Sequence, residues 1–135
     1  MTELLPQHIS SAAEAIVRAF ENNDENDYFS RFSPTCTFIF APDNTVHADR
    51  ASWHAAWGKL QEAGWRVIAC RTLESGVRVL AGGGVFWHVL ETTALVEGVT
   101  QTYRERETIV FENTQEGLLA VHEHLSSVTE EGTSL

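Results

Sequence analysis

The sequence predicts an α+β fold, with helices packed on one face of a curved, largely antiparallel sheet. Three observations carry this. Before Gly64, apolar residues recur at spacings of three and four, the period of an amphipathic helix. After Gly64 the chain is rich in β-branched and aromatic residues, punctuated by glycine, and reads as strand and turn. The chain has 135 residues and 43% hydrophobic content, with no repeat or linker, so one domain over 1–135 is expected.

The elements follow in order. Ile9, Ala12, Ala13, Ile16, Val17 and Phe20 form an apolar stripe on a helix of about 7–22. Asn22-Asn-Asp-Glu-Asn-Asp27 breaks it, and a short second helix over 28–32 is stopped by Pro34. Thr35-Cys-Thr-Phe-Ile-Phe40 is a strand and Ala41-Pro-Asp-Asn44 a turn. Asp43 and Asp49 read as turn or cap residues. Asp49 opens a third helix of about 50–63, with Trp53, Ala56, Trp57 and Leu60 on one face and Gly64 ending it. Residues 65–74 form a strand, Gly76 a turn, and 77–96 a long strand or bent pair. Gly82-Gly-Gly84 inside that run predicts a bulge or sharp bend. It is a poor phosphate loop, since no lysine follows and no helix starts there. Strands 99–112 and 117–127 complete the sheet, and 129–135 is a polar tail expected to be mobile.

Charge excludes several function classes. The 19 acidic side chains outnumber the 9 basic ones, for a net charge of −10. Arg104 and Arg106 are the only basic cluster, and glutamates flank them, so no basic stripe exists for phosphates. Neither a nucleic acid nor an anionic membrane surface is an expected partner. The start, Met1-Thr-Glu-Leu-Leu-Pro6, lacks the basic and apolar regions of a signal peptide, and no apolar run has membrane-spanning length. Cys36 and Cys70 lack CxxC spacing and sit in apolar strand-like runs, as buried thiols of a reduced, cytoplasmic protein would.

The last hairpin concentrates ionisable groups: Arg104-Glu-Arg-Glu107 on one strand and His122-Glu-His124 on the next. His122 and His124 are two apart, so a strand places them on one face. They suit an acid/base pair, two metal ligands completed by Glu107 or Glu105, or a structural or interface role. Glu107 and Glu123 suit a paired-carboxylate acid/base device, or simply ion pairs. Register decides which groups share a face. With Arg106 opposite His122, both arginines and both histidines share one face and the glutamates crowd the other. With Glu107 opposite His122, opposite charges pair across the strands, and cross-strand energetics favours this second arrangement.

Three N-terminal helices, the order helix-helix-strand-helix-four strands, and an ending Arg106-Glu-Thr108, Gly117, Val121-His-Glu-His-Leu-Ser126 resemble the nuclear transport factor 2-like superfamily, SnoaL-like branch. The ending also resembles the association domain of calcium/calmodulin-dependent kinase. Leu118 stands where a tryptophan is usual. The resemblance implies a cone: a curved antiparallel or mixed sheet with three N-terminal helices on its concave side, closing a pocket there.

For that pocket the sequence offers Phe38, Phe40, Trp53, Trp57 and Trp87 as apolar walls, with Ile109 and Val121. The polar candidates are Tyr28, His88, Glu91, Tyr103, Glu107, Glu123, His122 and His124, with Arg104 and Arg106 if they turn inward. Trp53 and Trp57, at i and i+4, also suit plain core packing. Tyr28 and Tyr103 could donate to a ligand oxygen, as in ketosteroid isomerase-like relatives. The aspartate base and protonated aspartate donor of those enzymes have no obvious equivalent here, which argues against isomerase activity. The expected ligand is small and largely apolar, with a carbonyl or hydroxyl, and an acidic rim disfavours anions. Two functions compete: a ligand-binding, enzyme-like cone using a pocket acid/base, and a non-catalytic homodimeric association module. A homodimer through the outer sheet face is expected either way. No metal and no cofactor is expected.

Overall fold

The computed structural model describes residues 3–41 and 45–128. Asp43 and the 129–135 tail lie outside the described residues. The order is α1 (Pro6–Glu21), α2 (Glu25–Ser30), β1 (Phe32–Ile39), β2 (Val46–His47), α3 (Arg50–Glu62), β3 (Arg66–Leu80), β4 (Gly83–Val96), β5 (Val99–Thr114) and β6 (Gly117–Ser127).

Helix α1 starts with Pro6, whose missing N–H costs nothing in a first turn, and buries Ile9, Ala13, Ile16 and Ala19. Helix α2 begins three residues earlier than the sequence predicts, because Asp24 caps it and accepts from Asp27 N at 3.2 Å. Asp49 caps α3, accepting from Ser52 N at 2.9 Å, and this cap sits where it is expected.

The six strands form one sheet in the order β2-β1-β6-β5-β4-β3. β1 runs parallel to β6 and every other pair is antiparallel, so the sheet is mixed. The register of β1 on β6 breaks between Phe32 and Thr37, around Pro34, which has no N–H for a ladder. The two-residue β2 is too short to leave a sequence signal.

Gly76 makes no turn. It lies inside β3 opposite Trp87, and a Cβ there would come within 2.6 Å of Trp87 Cζ2. The missing side chain makes room for the indole. The chain reverses instead at Ala81-Gly82, where Gly82 has φ +77°. Gly84 lets α1 approach the sheet: a Cβ would meet Ile9 Cδ1 at 2.7 Å.

The expected pairing of Glu107 with His122 does not occur. Ile109 stands opposite Glu123, Val110 opposite His122 and Thr108 opposite His124, with an irregularity at Val121. The arginines and histidines therefore share the outer face, and Glu105, Glu107 and Glu123 share the inner one. Helices and inner face enclose an aromatic core that includes Tyr28, Phe29, Phe32, Phe38 and Trp57. Among the described residues, no helix is long and apolar enough to cross a membrane.

Candidate functional site

Between helices and inner face lies a cavity of about 420 Å³. The helices line it with Ile16, Val17 and Phe20 from α1, Tyr28 from α2, and Trp53 and Leu60 from α3, and Trp65 follows. The strands contribute Cys70 from β3, Leu90 and Thr92 from β4, Tyr103, Glu105 and Glu107 from β5, and Glu123 and Leu125 from β6. Alternation along paired strands accounts for this set. Tyr103, Glu105 and Glu107 are two apart and face one way, and Thr92 stands opposite Tyr103.

The three carboxyls are buried, at 8%, 6% and 4% exposure for Glu105, Glu107 and Glu123. Glu107 and Glu123 are diagonal neighbours across β5 and β6, and their carboxyls interact. Glu107 Oε1 also lies 2.6 Å from His88 Nε2, and His88 Nδ1 lies 2.9 Å from Thr72 Oγ1. Trp53 Nε1 donates to the Tyr28 hydroxyl at 3.2 Å, and Tyr28 in turn faces Glu123. Glu123 Oε1 is buried with no hydrogen-bond partner.

Burial sets the protonation states. It raises Glu107 to about 7, with Glu105 adding to the rise and the contact with Glu123 opposing it. Burial and then the charge of Glu123 raise Glu105 to about 7. Glu123 goes well above the usual carboxylate range, through burial first and then the charge of Glu107. Burial lowers His88 to about 4, so its imidazole is neutral beside the acids. It also keeps the Tyr28 phenol and the Cys70 thiol protonated, the latter raised to about 12. At neutral pH the cluster therefore holds protons that it can exchange.

A family model described as the SnoaL-like domain matches residues 9–130. The chain belongs to the SnoaL-like family. Its fold is that of the nuclear transport factor 2-like superfamily. A superfamily protein from Salmonella enterica superposes with TM-score 0.80 at 18% identity, covering 94% of this chain and 93% of that one. A ketosteroid isomerase-like protein from Erwinia carotovora gives 0.78 at 15% identity, covering 93% and 97%. A candidate calcium/calmodulin dependent protein kinase II association domain from Xanthomonas campestris gives 0.79 at 16%, covering 95% and 91%. A comparison with curated proteins returned no match. Family and fold together support a ligand-binding fold.

Within this SnoaL-like domain the structure brings together Tyr28, Trp53, Tyr103, Glu107 and Glu123 around the cavity, with His88 behind Glu107. It separates the rest. His122 and His124 lie on the outer face, where His122 Nδ1 meets Thr37 Oγ1 at 2.6 Å. Trp87 is 42% exposed on that face. Arg104 is there too, its Nε donating to Glu91 Oε2 at 3.4 Å, and Arg106 stands opposite Val89 and Ser126. Trp57 and Phe38 are fully buried core rather than cavity wall. Among the described residues no group of three His, Cys, Asp or Glu is arranged to hold a metal ion.

Sequence reasoning missed Trp65, Cys70 and Thr92 as lining residues. Cys70 and Thr92 lie on adjacent strands and touch at 3.7 Å, a pairing visible only once the β3–β4 register is known. Trp65 follows the Gly64 helix stop, and its ring packs 5.9 Å from Phe20, a long-range contact with no local signature.

Proposed function

We propose that this domain binds a small, largely apolar molecule in the cavity and acts on its polar group by proton transfer. Glu107 and Glu123 form the acid/base pair and His88 holds Glu107. One observation carries the reading: three buried carboxyls converge on an otherwise largely apolar cavity whose volume lies in the range of small-molecule sites. Their raised pKa values near neutrality are what a group must have to both take and give a proton there. The pair resembles neither an ion pair nor a metal site, since its near neighbours are another acid and a neutral imidazole.

Trp53 and Trp65 line the cavity and report on its occupancy. The test is their fluorescence during titration with small hydrophobic ketones, alcohols, amines and carboxylates. Saturable quenching by one class, with a pH dependence altered in Glu107→Gln, is the expected result. No saturable binding by any class overturns the reading.

A second reading, a homodimeric association module, has its own support. Trp87 is exposed on an outer face that no helix covers among the described residues, and one structural relative is named for an association domain. The two readings are compatible, because the cavity and the outer face lie on opposite sides of the sheet. The open cavity favours binding as the primary role, since a module serving assembly alone has no need of one.

A further inference from the structure

The expected ligand head group, a carbonyl or hydroxyl, can accept from a carboxyl that holds its proton, but it brings no charge to match one that ionises. Among the described residues the lining includes no lysine, arginine or histidine. The polar end of the cavity holds three carboxyls and therefore six oxygens, all acceptors when ionised. The donors that line it are neutral and partly committed: the Tyr28 hydroxyl turns to Glu123, Thr92 meets Cys70, and Tyr103 offers one more hydroxyl. The Trp53 indole N–H is already given to Tyr28, and His88 reaches one oxygen of Glu107. Glu123 Oε1, on a side chain only 4% exposed, has no donor at all. A buried acceptor left unmatched is costly, so the site lacks a donor for Glu123 Oε1 and lacks positive charge.

The walls answer the same need. Phe20, Tyr28, Phe40, Trp53 and Trp65 line the same cavity as the carboxyls. Aromatic faces attract cations, and their apolar bodies cover a hydrocarbon frame.

We infer that the ligand is a hydrophobic amine, whose ammonium group enters between Glu105, Glu107 and Glu123 while its apolar body lies against Trp53, Trp65 and Phe20. This rests on the proposed ligand-binding role of the cavity and narrows it to a chemical class. An ammonium brings three donors and one positive charge, and so matches both deficits at once. A carboxylate or phosphate ligand meets like charge and no cation.

Binding is linked to protons, and the groups that face the cluster fix the sign. They are Glu105, Glu107 and Tyr103 on β5, Glu123 on β6, His88 on β4, Cys70 on β3 and Tyr28 on α2, with Glu21 of α1 and Cys36 of β1 nearby. His47 on β2 packs 5.6 Å from Trp53, and Arg50 of α3 acts on Cys36. The carboxyls are the groups that change charge near neutrality. An ammonium binds their ionised form, so amine affinity rises with pH from 6 to 8, and binding below pH 7 releases protons.

The experiment compares 3-phenylpropylamine, 3-phenylpropanol and 3-phenylpropanoate, which share one body and differ in head group. Calorimetry is run at pH 6 and pH 8 in two buffers of different ionisation enthalpy. The amine is expected to bind at least about tenfold tighter than the alcohol at pH 8, with the carboxylate weakest. Proton release should accompany amine binding at pH 6. In Glu123→Gln and Glu107→Gln the amine-to-alcohol ratio should fall about tenfold, a readout that does not depend on equal folding of the variants. An alcohol that binds as tightly as the amine, or a ratio unchanged in both variants, overturns the amine inference and leaves the cavity reading standing. Failure of all three compounds to bind at either pH overturns both.

Discussion

Glu107 and Glu123 are two acids that burial and mutual repulsion keep from ionising together. The consequence for stability has a definite sign. Their folded pKa values lie above the unfolded ones, so the contribution is fully present below about pH 4; for Glu107, as for Glu105, it is lost as pH rises through about 7. His88 opposes this over part of the range. Its lowered pKa makes its contribution full above about pH 6.5 and lost as pH falls toward 4. Glu123→Gln removes, at nearly constant shape, a carboxyl that must hold its proton in the folded state while it ionises in the unfolded one. It should raise stability by about 1–3 kcal/mol at pH 8 and by much less at pH 5, read from thermal unfolding at both. Equal effects at the two pH values would show that Glu123 does not hold its proton in the folded state. The two-residue spacing made it legible that Glu105 and Glu107 share a face. Their company on that face was misjudged, Glu123 rather than the two histidines, because cross-strand charge pairs are worth only about 0.2–1 kcal/mol while burying Ile109 and Phe111 is worth about 1.5–3 kcal/mol each. The apolar pair decides, and it carries the glutamates inward.

At the scale of elements, β6 explains the misplaced histidines. Ala120 faces inward opposite Phe111, and unbroken alternation would turn His122 and His124 inward with it. The extra residue at Val121 shifts the register by one, sends both histidines outward and brings Glu123 in. No side-chain pattern announces such a bulge. The β3–β4 hairpin shows the converse, a glycine required by its neighbour rather than by a turn. Gly76→Ala should cost about 1–3 kcal/mol by pushing Trp87 aside, and Trp87→Ala should remove most of that cost. A double-mutant cycle in urea measures this, and additive effects would refute the packing account. Helix α3 divides its tryptophans. Trp57→Ala should destabilise by about 3–5 kcal/mol as a core truncation. Trp53→Ala should chiefly weaken ligand binding, because Trp53 lines the cavity and holds Tyr28.

For the whole molecule, element order was the most legible property, since the three helices and the strand between them carry their own periods and only strand periods follow Gly64. The cavity was legible only in outline, because its walls come from every part of the chain. The outer face carries the second proposal. Copies of this chain pairing through it should sediment at about 30 kDa, twice the 15.0 kDa chain, and Trp87→Glu should shift them toward monomer. A wild-type monomer at micromolar concentration would remove the dimer and leave the cavity account untouched. That account turns on one property, acids at the cavity floor that keep their protons at neutral pH. Carbon-13 NMR of the glutamate side-chain carboxyls measures it directly, with Glu105→Gln, Glu107→Gln and Glu123→Gln assigning the signals. Glu105 and Glu107 should titrate near pH 7, and Glu123 well above the ordinary glutamate range. Midpoints near the ordinary glutamate value of about 4.3 for all three would contradict it.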